Sequence, residues 1–170
     1  MKLFYIYHRI KYTIKVILRI FGLGEPIKSC PCCGYSGRFD TMGQPPRYGA
    51  RCPKCHSLER HRLIFLANLE MKFFNSKDVL HFAPEKALSR IIRKSAKRYL
   101  SGDISPERAD CILNIEKLEQ PDQSWDVVIC SHVLEHVNDK LALFELHRIF
   151  KTEWVVATHG STNRWMGKNV

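Results

Sequence analysis

The run Trp125-Asp126-Val127-Val128-Ile129-Cys130 is apolar and rich in β-branched residues, and it reads as a strand. Outward from it the chain keeps an α/β rhythm. Upstream, residues 79–83 read as a short buried strand, 85–97 as a basic amphipathic helix, 99–101 as a second strand and 111–113 as a third. Downstream, residues 139–150 read as a helix with Leu141, Phe144, Leu146 and Ile149 available for one face, and 154–157 as a fifth strand. Strands alternating with helices predict an α/β fold with a parallel sheet from Asp78 onward.

The segment before it has different chemistry. Cys30-Pro31-Cys32-Cys33-Gly34 and Cys52-Pro53-Lys54-Cys55-His56 are two C-x₂-C knuckles separated by 18 residues. Four thiolates on two tight turns suit a tetrahedral Zn²⁺. Cys30, Cys33, Cys52 and Cys55 are the expected ligands of a structural zinc, with Cys32 a bystander. His56 stands where a glycine is expected; it could be a spare ligand, but a solvated histidine in a left-handed turn is the preferred reading. A redox dithiol is the rival reading for one C-x₂-C, and the tandem argues against it. Ser57 is the expected N-cap of a helix over 58–73, with Glu59 in its first turn.

Residues 1–24 are apolar but broken by Arg9, Lys11, Lys15 and Arg19. Lys11, Lys15 and Arg19 recur at helical spacing, so a helix there carries a narrow basic stripe and a wide apolar face. The expectation is a helix packed on its own domain; the alternative is an interfacial helix on an anionic membrane surface. The chain is thus expected to divide into an N-terminal basic amphipathic helix (1–26), a zinc ribbon (27–56), a connecting helix (57–77) and an α/β domain (78–170).

Composition narrows the classes. Hydrophobic residues at 45% with 26% charged describe a globular protein, not a disordered tail. The net charge of +10 lies wholly in residues 1–77, which hold 14 Lys/Arg against 4 Asp/Glu, while the remainder is neutral. That half is expected to meet something anionic, RNA or a membrane surface. The ribbon has few aromatics for stacking bases beyond Tyr35, Phe39 and Tyr48. Seven cysteines, an odd number without a secretory signal, argue against a secreted disulfide scaffold and for a reducing cytoplasm, peripheral to a membrane if the first helix binds one.

Three stretches carry a resemblance to a known family: Ser57-Leu58-Glu59-Arg60-His61-Arg62-Leu63, Val79-Leu80-His81-Phe82-Ala83-Pro84-Glu85, and Trp125 through Cys130 continuing as Ser131-His132-Val133-Leu134-Glu135-His136-Val137. Together they resemble the class I S-adenosylmethionine (SAM) dependent methyltransferases, in particular bacterial members with a zinc ribbon ahead of the catalytic domain. The resemblance implies a Rossmann-like sheet and SAM as cofactor. It assigns His81, Phe82, Ala83, Pro84 and Glu85 to the turn facing the methionine part of SAM, with Pro84 starting the next helix. That turn lacks the family's glycines. It assigns Asp103 to the ribose hydroxyls, Asn114 and Ile115 to the adenine, and Ser131 to the crevice wall. His132, Glu135 and His136 are candidates for a general base or a metal pair; a turn shaping the pocket wall is the preferred reading. Cys111 and Cys130 are expected to be inert core residues.

After Lys151 the family pattern stops. Read one base forward, the codons of Trp165, Met166 and Gly167 must contain Gly-Trp, and residues 163–169 can then read Ile-Asp-Gly-Trp-Gly-Lys-Thr, like the family's next segment. The expectation is a frameshift from about residue 152 that truncates a longer enzyme, leaving about five strands and weak or absent turnover. A continuation in the adjacent genomic frame is the check.

Overall fold

A computed structural model describes residues 2–20, 26–151 and 156–157. The expectations that rest on residues 152–155 and 158–170 therefore lie outside the described residues. The chain divides into two compact units, Met1–Leu66 and Ala67–Val170, with the boundary inside the connecting helix.

In the first unit, helix α1 spans Lys2–Ile20. Apart from half-buried Val16, its described apolar side chains are exposed, Ile6, Ile10 and Ile14 by 55%, 54% and 51%. The expected packing of this helix on its own domain is therefore not observed. The ribbon follows as two small hairpins. Strand β1 (Lys28–Ser29) pairs antiparallel with β2 (Ser36–Gly37), and β3 (Asp40–Met42) with β4 (Arg47–Arg51). Asp40 and Arg51 face each other across the second hairpin, where Arg51 donates to Asp40 Oδ2 through Nε at 3.2 Å and NH2 at 3.1 Å. Helix α2 spans Glu59–Met71, a residue shorter at its start and two at its end than the sequence predicts.

The second unit is a five-stranded parallel sheet in the order β7-β6-β5-β8-β9. Its members are β5 (Asp78–Phe82), β6 (Arg98–Asp103), β7 (Cys111–Ile112), β8 (Val127–Cys130) and β9 (Val156–Ala157). All five expected strands are present, with ends moved by one or two residues; the third is shorter and the second longer than predicted. Residues of even and odd position on a strand face opposite sides. Leu80 and Phe82 of β5 and Val128 and Cys130 of β8 enter one core with Leu113, Ile115 and Trp125, covered by helix α4 (Asp139–Ile149). That helix buries Ala142, Leu146 and Ile149 at i, i+4, i+7, while Leu141 and Phe144 point outward, 50% and 69% exposed. Leu146 and Ile149 thus lie on the expected face, while Ala142 is buried in place of Leu141 and Phe144.

On the other side, α3 (Lys86–Arg93) buries Ala87, Leu88 and Ile92. His81 of β5 is fully buried there, hydrogen-bonded through Nδ1 to the Tyr99 hydroxyl at 2.9 Å, which in turn donates to Ser89 Oγ on α3. The β6–β7 connection, residues 104–110, is shorter than the dozen residues a helical crossover needs. It is closed by Asp110, whose Oδ2 accepts from Ser101 N and Oγ and whose two oxygens each lie 2.7 Å from Arg93 NH2.

A charged clamp holds the amino ends of the sheet. Lys151 Nζ reaches Asp78 Oδ2 at 2.6 Å and Asp126 Oδ2 at 3.2 Å, and Arg98 stacks over Trp125 at 4.0 Å. The Lys151 hydrogen bond, ahead of the charges of Arg98 and Lys97, holds the Asp78 carboxyl below its ordinary value against the opposing effect of burial. A depressed carboxylate stabilises the fold above its unfolded pKa of about 3.9, and the gain is lost as pH falls through the lower folded value. Replacing Asp78→Asn is expected to cost about 1 kcal/mol near neutrality, after allowance for the partial exposure of Lys151. The difference should shrink in denaturant titrations run from pH 6 down to pH 3; an unchanged gap at pH 3 would contradict the assignment.

Candidate functional site

Two sites emerge, one in each unit. In the ribbon the two knuckles are built alike. Cys30 N donates to Tyr35 O and Gly34 N to Cys30 O; Cys52 N donates to Ser57 O and His56 N to Cys52 O. Each turn ends in a left-handed residue, Gly34 at φ +71° and His56 at φ +60°. His56 thus occupies the glycine position as a turn residue. The turns bring the sulfurs of Cys30, Cys33, Cys52 and Cys55 within 4.8 Å of one another, the only such cluster of potential metal ligands among the described residues. Cys30 and Cys55 Sγ lie 3.6 Å apart, Cys33 and Cys52 Sγ 3.7 Å. Tetrahedral ligands at about 2.3 Å from zinc have sulfur–sulfur edges of about 3.8 Å, so the spacing fits the metal. Cys32 lies outside the cluster, and burial pushes its thiol up to about 12.

The segment after the second knuckle supports this cluster in ways its sequence concealed. Ser57 is not the N-cap of α2. It is fully buried, and its hydroxyl lies 3.2 Å from Cys55 Sγ and 3.4 Å from Cys30 Sγ. The helix start is served instead by His61, whose Nδ1 accepts from Leu58 N at 3.1 Å. Arg62 donates to the carbonyls of Ser57 (2.7 Å) and Ala50 (3.1 Å), and its guanidinium covers the Phe39 ring at 4.9 Å. Phe39 is buried under that contact, so it cannot stack a base. Burial works to raise the Cys30 thiol, but the Ser57 hydroxyl, the Cys32 backbone N–H and the neighbouring thiols overturn it, leaving it at about 6. Burial raises the Cys33 thiol and pushes Cys52 up to about 12, so holding all four sulfurs as thiolates calls for a bound cation.

In the second unit, parallel pairing gathers distant residues at one edge of the sheet. Phe82 is in register with Gly102 and Cys130, and Asp103 with Ile112. Residues 83–85, Asp103, Asn114 and Ser131 therefore all follow or close strands at their carboxyl ends, where open α/β sheets bind ligands. The turn after β5 has no glycine, yet Ala83 takes the left-handed conformation a glycine would supply, φ +46°, and its N–H donates to Gly102 O at 2.9 Å. Such a conformation strains a residue with a Cβ. Ala83→Gly is accordingly expected to leave the melting temperature unchanged or raise it by a few degrees; a clear loss would show that the turn does not need this geometry. Pro84 does not start the helix. Glu85 is the N-cap of α3, so Pro84 stands one residue further out.

Asp103 is half-buried at the end of β6. Its Oδ1 accepts from Ser105 N at 2.9 Å, while Oδ2 has no partner among the described residues. Asn114 is exposed and spends its Oδ1 on Glu116 N at 2.9 Å. Ile115 lies in the main core, 3% exposed, and His81 is fully buried against Tyr99. The side chains of His81 and Ile115 are therefore turned into the unit's interior. His132 closes β8 at φ +56°, with Nδ1 3.2 Å from Glu135 Oε1; His136 Nε2 lies 3.9 Å from the same oxygen. Leu134–His136 is a single 3₁₀ turn. His132 and His136 do not share an α-helical face, and the i, i+4 metal pair does not form. Cys130 is buried, which pushes its thiol up to about 12, and Cys111 Sγ donates to Ser101 O.

Residues 85–156 match the family model described as a methyltransferase domain. The second unit is methyltransferase-like. Among solved structures, its fold is similar to a SAM-dependent methyltransferase from Mesorhizobium loti, at 18% identity over 56% of this chain and 51% of that one, TM-score 0.45. A SAM-dependent methyltransferase from Archaeoglobus fulgidus aligns at 14% identity over 56% and 51%, TM-score 0.46. Phosphoethanolamine N-methyltransferase 1 from Haemonchus contortus, in complex with phosphoethanolamine and S-adenosylhomocysteine, aligns at 15% identity over 62% and 26%, TM-score 0.47. The chain thus spans about half the length of the first two. No curated protein sequence matches it.

Proposed function

We propose that the methyltransferase-like unit binds SAM across the carboxyl ends of β5, β6 and β7 and serves methyl transfer to an acceptor approaching near Ser131. The observation that carries this reading is the half-buried Asp103, with an open carboxylate oxygen, one strand away from the left-handed turn at Ala83. SAM, when bound, supplies an activated methyl group on a sulfonium leaving group. The chain's own part is positioning. Asp103 Oδ2 accepts from the ribose hydroxyls, the backbone of residues 82–85 faces the methionine part, and the Asn114 amide meets the adenine edge. Alignment of the reacting atoms provides much of the rate. His132, with Glu135 against its ring, follows the carboxyl end of β8 beside Ser131 and takes a proton only from an acceptor that must lose one.

Calorimetric titration of SAM into the full chain tests this. Micromolar binding is expected, and Asp103→Ala should weaken it about ten- to a hundredfold by removing charge-assisted hydrogen bonds. Equal affinity of parent and variant would sink the assignment of Asp103.

We also propose that the four-cysteine cluster holds a structural Zn²⁺. The closed set of four thiolates leaves no position for water or substrate, so this metal serves folding. The sulfur spacing and the Ser57 hydroxyl between Cys30 and Cys55 support it.

A further inference from the structure

Helix α1 supplies no residue to the cysteine cluster or to the proposed SAM site, and its composition is sharply biased. Its 19 residues contain five Lys or Arg and no Asp or Glu. At 100° per residue, Ile6, Ile17, Ile10, Ile14, Tyr7 and Leu18 fall within one arc of about 120°. The basic positions Lys11, Lys15, Arg19, Arg9 and Lys2 fall on the rest of the circumference. The apolar arc is not covered: these six side chains are 40–59% exposed, whereas the sheet's core residues are below a tenth. Lys11 borders the arc, with its ammonium 5.8 Å from the Tyr7 ring centre.

Charge and apolarity together select the occupant. A second copy of α1 would bury the isoleucines but bring five cations against five. A nucleic acid would neutralise the cations but offer the isoleucines no apolar layer. An anionic bilayer surface does both, with acyl chains beneath a sheet of negative headgroups. No helix among the described residues is long and apolar enough to cross a membrane. We propose that α1 is an interfacial anchor that docks this protein on anionic lipid, isoleucine face toward the acyl chains and Lys and Arg among the headgroups. Tyr7, amphipathic and exposed at the margin of the arc, suits the boundary between the two.

The test is co-sedimentation of the full, zinc-loaded chain with phosphatidylcholine vesicles, with and without phosphatidylglycerol. Partition onto the anionic vesicles is expected to exceed that onto neutral ones by at least about tenfold and to fall with salt. Ile10→Asp with Ile14→Asp should reduce it at least about tenfold with unchanged zinc content. Arg9→Glu with Lys11→Glu keeps the apolar face and should remove the preference for anionic lipid, which keeps the proposal testable if the aspartates disturb folding. Three results would overturn it: no preference for anionic vesicles, equal partition of parent and aspartate variant, or a dimer in vesicle-free sedimentation that the aspartates dissolve while lipid binding is absent. Binding of double-stranded RNA that survives the aspartate substitutions, without vesicle binding, would equally overturn it.

Discussion

Stripping zinc from the chain is expected to unfold the ribbon. Among the described residues its buried hydrophobic cluster consists of Cys30, Cys52 and Phe39, with Gly49 and Ala50 buried in β4. Strands of two to five residues cannot hold themselves together around one phenylalanine. A structural zinc site contributes about 10–16 kcal/mol of apparent binding free energy, and in a module this small that energy is folding free energy. With a strong chelator, or in Cys52→Ser, residues 28–57 should become susceptible to limited proteolysis and zinc content should fall from one per chain toward zero. Cys32→Ser should retain the metal, because Cys32 stands outside the cluster. Ser57→Ala should lie between, losing the hydroxyl beside Cys55 and Cys30 and about tenfold in zinc affinity. A chelated chain that resists protease across the ribbon as well as the loaded one does would refute the structural role.

The cysteine cluster was legible because thiol spacing is a short-range code: two C-x₂-C turns present ligands whatever surrounds them. The support around it was not. Ser57 before an acidic helix start has the sequence signature of an N-cap, and only the fold shows that its hydroxyl is turned to the sulfurs while His61 takes the capping role. Nothing in spacing distinguishes these two uses of a serine. In the second unit the strands were legible from continuous apolar runs, and their parallel pairing from the alternation with helices. Side-chain direction was harder. His81 sits among residues assigned to a cofactor turn, but strand parity sends it toward α3 and Tyr99. Ile115 follows the third strand, yet it belongs to the core. The absence of glycine after β5 reads as a defect until Ala83 is seen to hold the left-handed conformation itself. For α1 the amphipathic pattern was visible, but periodicity reports an apolar face without saying what covers it.

Gly102→Ala is expected to be the most damaging single-methyl change in the sheet. Gly102 lies in β6 between Phe82 of β5 and Cys111 of β7. A Cβ there would stand 2.5 Å from Leu113 Cδ1 and 2.8 Å from its Cβ and Cγ. Leu113 cannot simply retreat, because its N–H is held by Asp103 O at 3.0 Å and its side chain belongs to the buried core. Overpacking of this kind costs about 1–3 kcal/mol, which in a unit of this size lowers the melting temperature by roughly 5–20 °C. The same displacement moves Asp103, so SAM affinity should fall with stability even though Gly102 bears no side chain. Shortening the obstructing residue separates this account from a general intolerance of substitution. In Gly102→Ala with Leu113→Gly, which removes all three close atoms, the new methyl enters space the leucine has vacated, and the double variant should be more stable than the sum of the single losses by about 0.5–3 kcal/mol. Strictly additive losses in thermal unfolding, or a Gly102→Ala variant that melts with the parent, would show that β6 and the segment after β7 do not meet at this glycine.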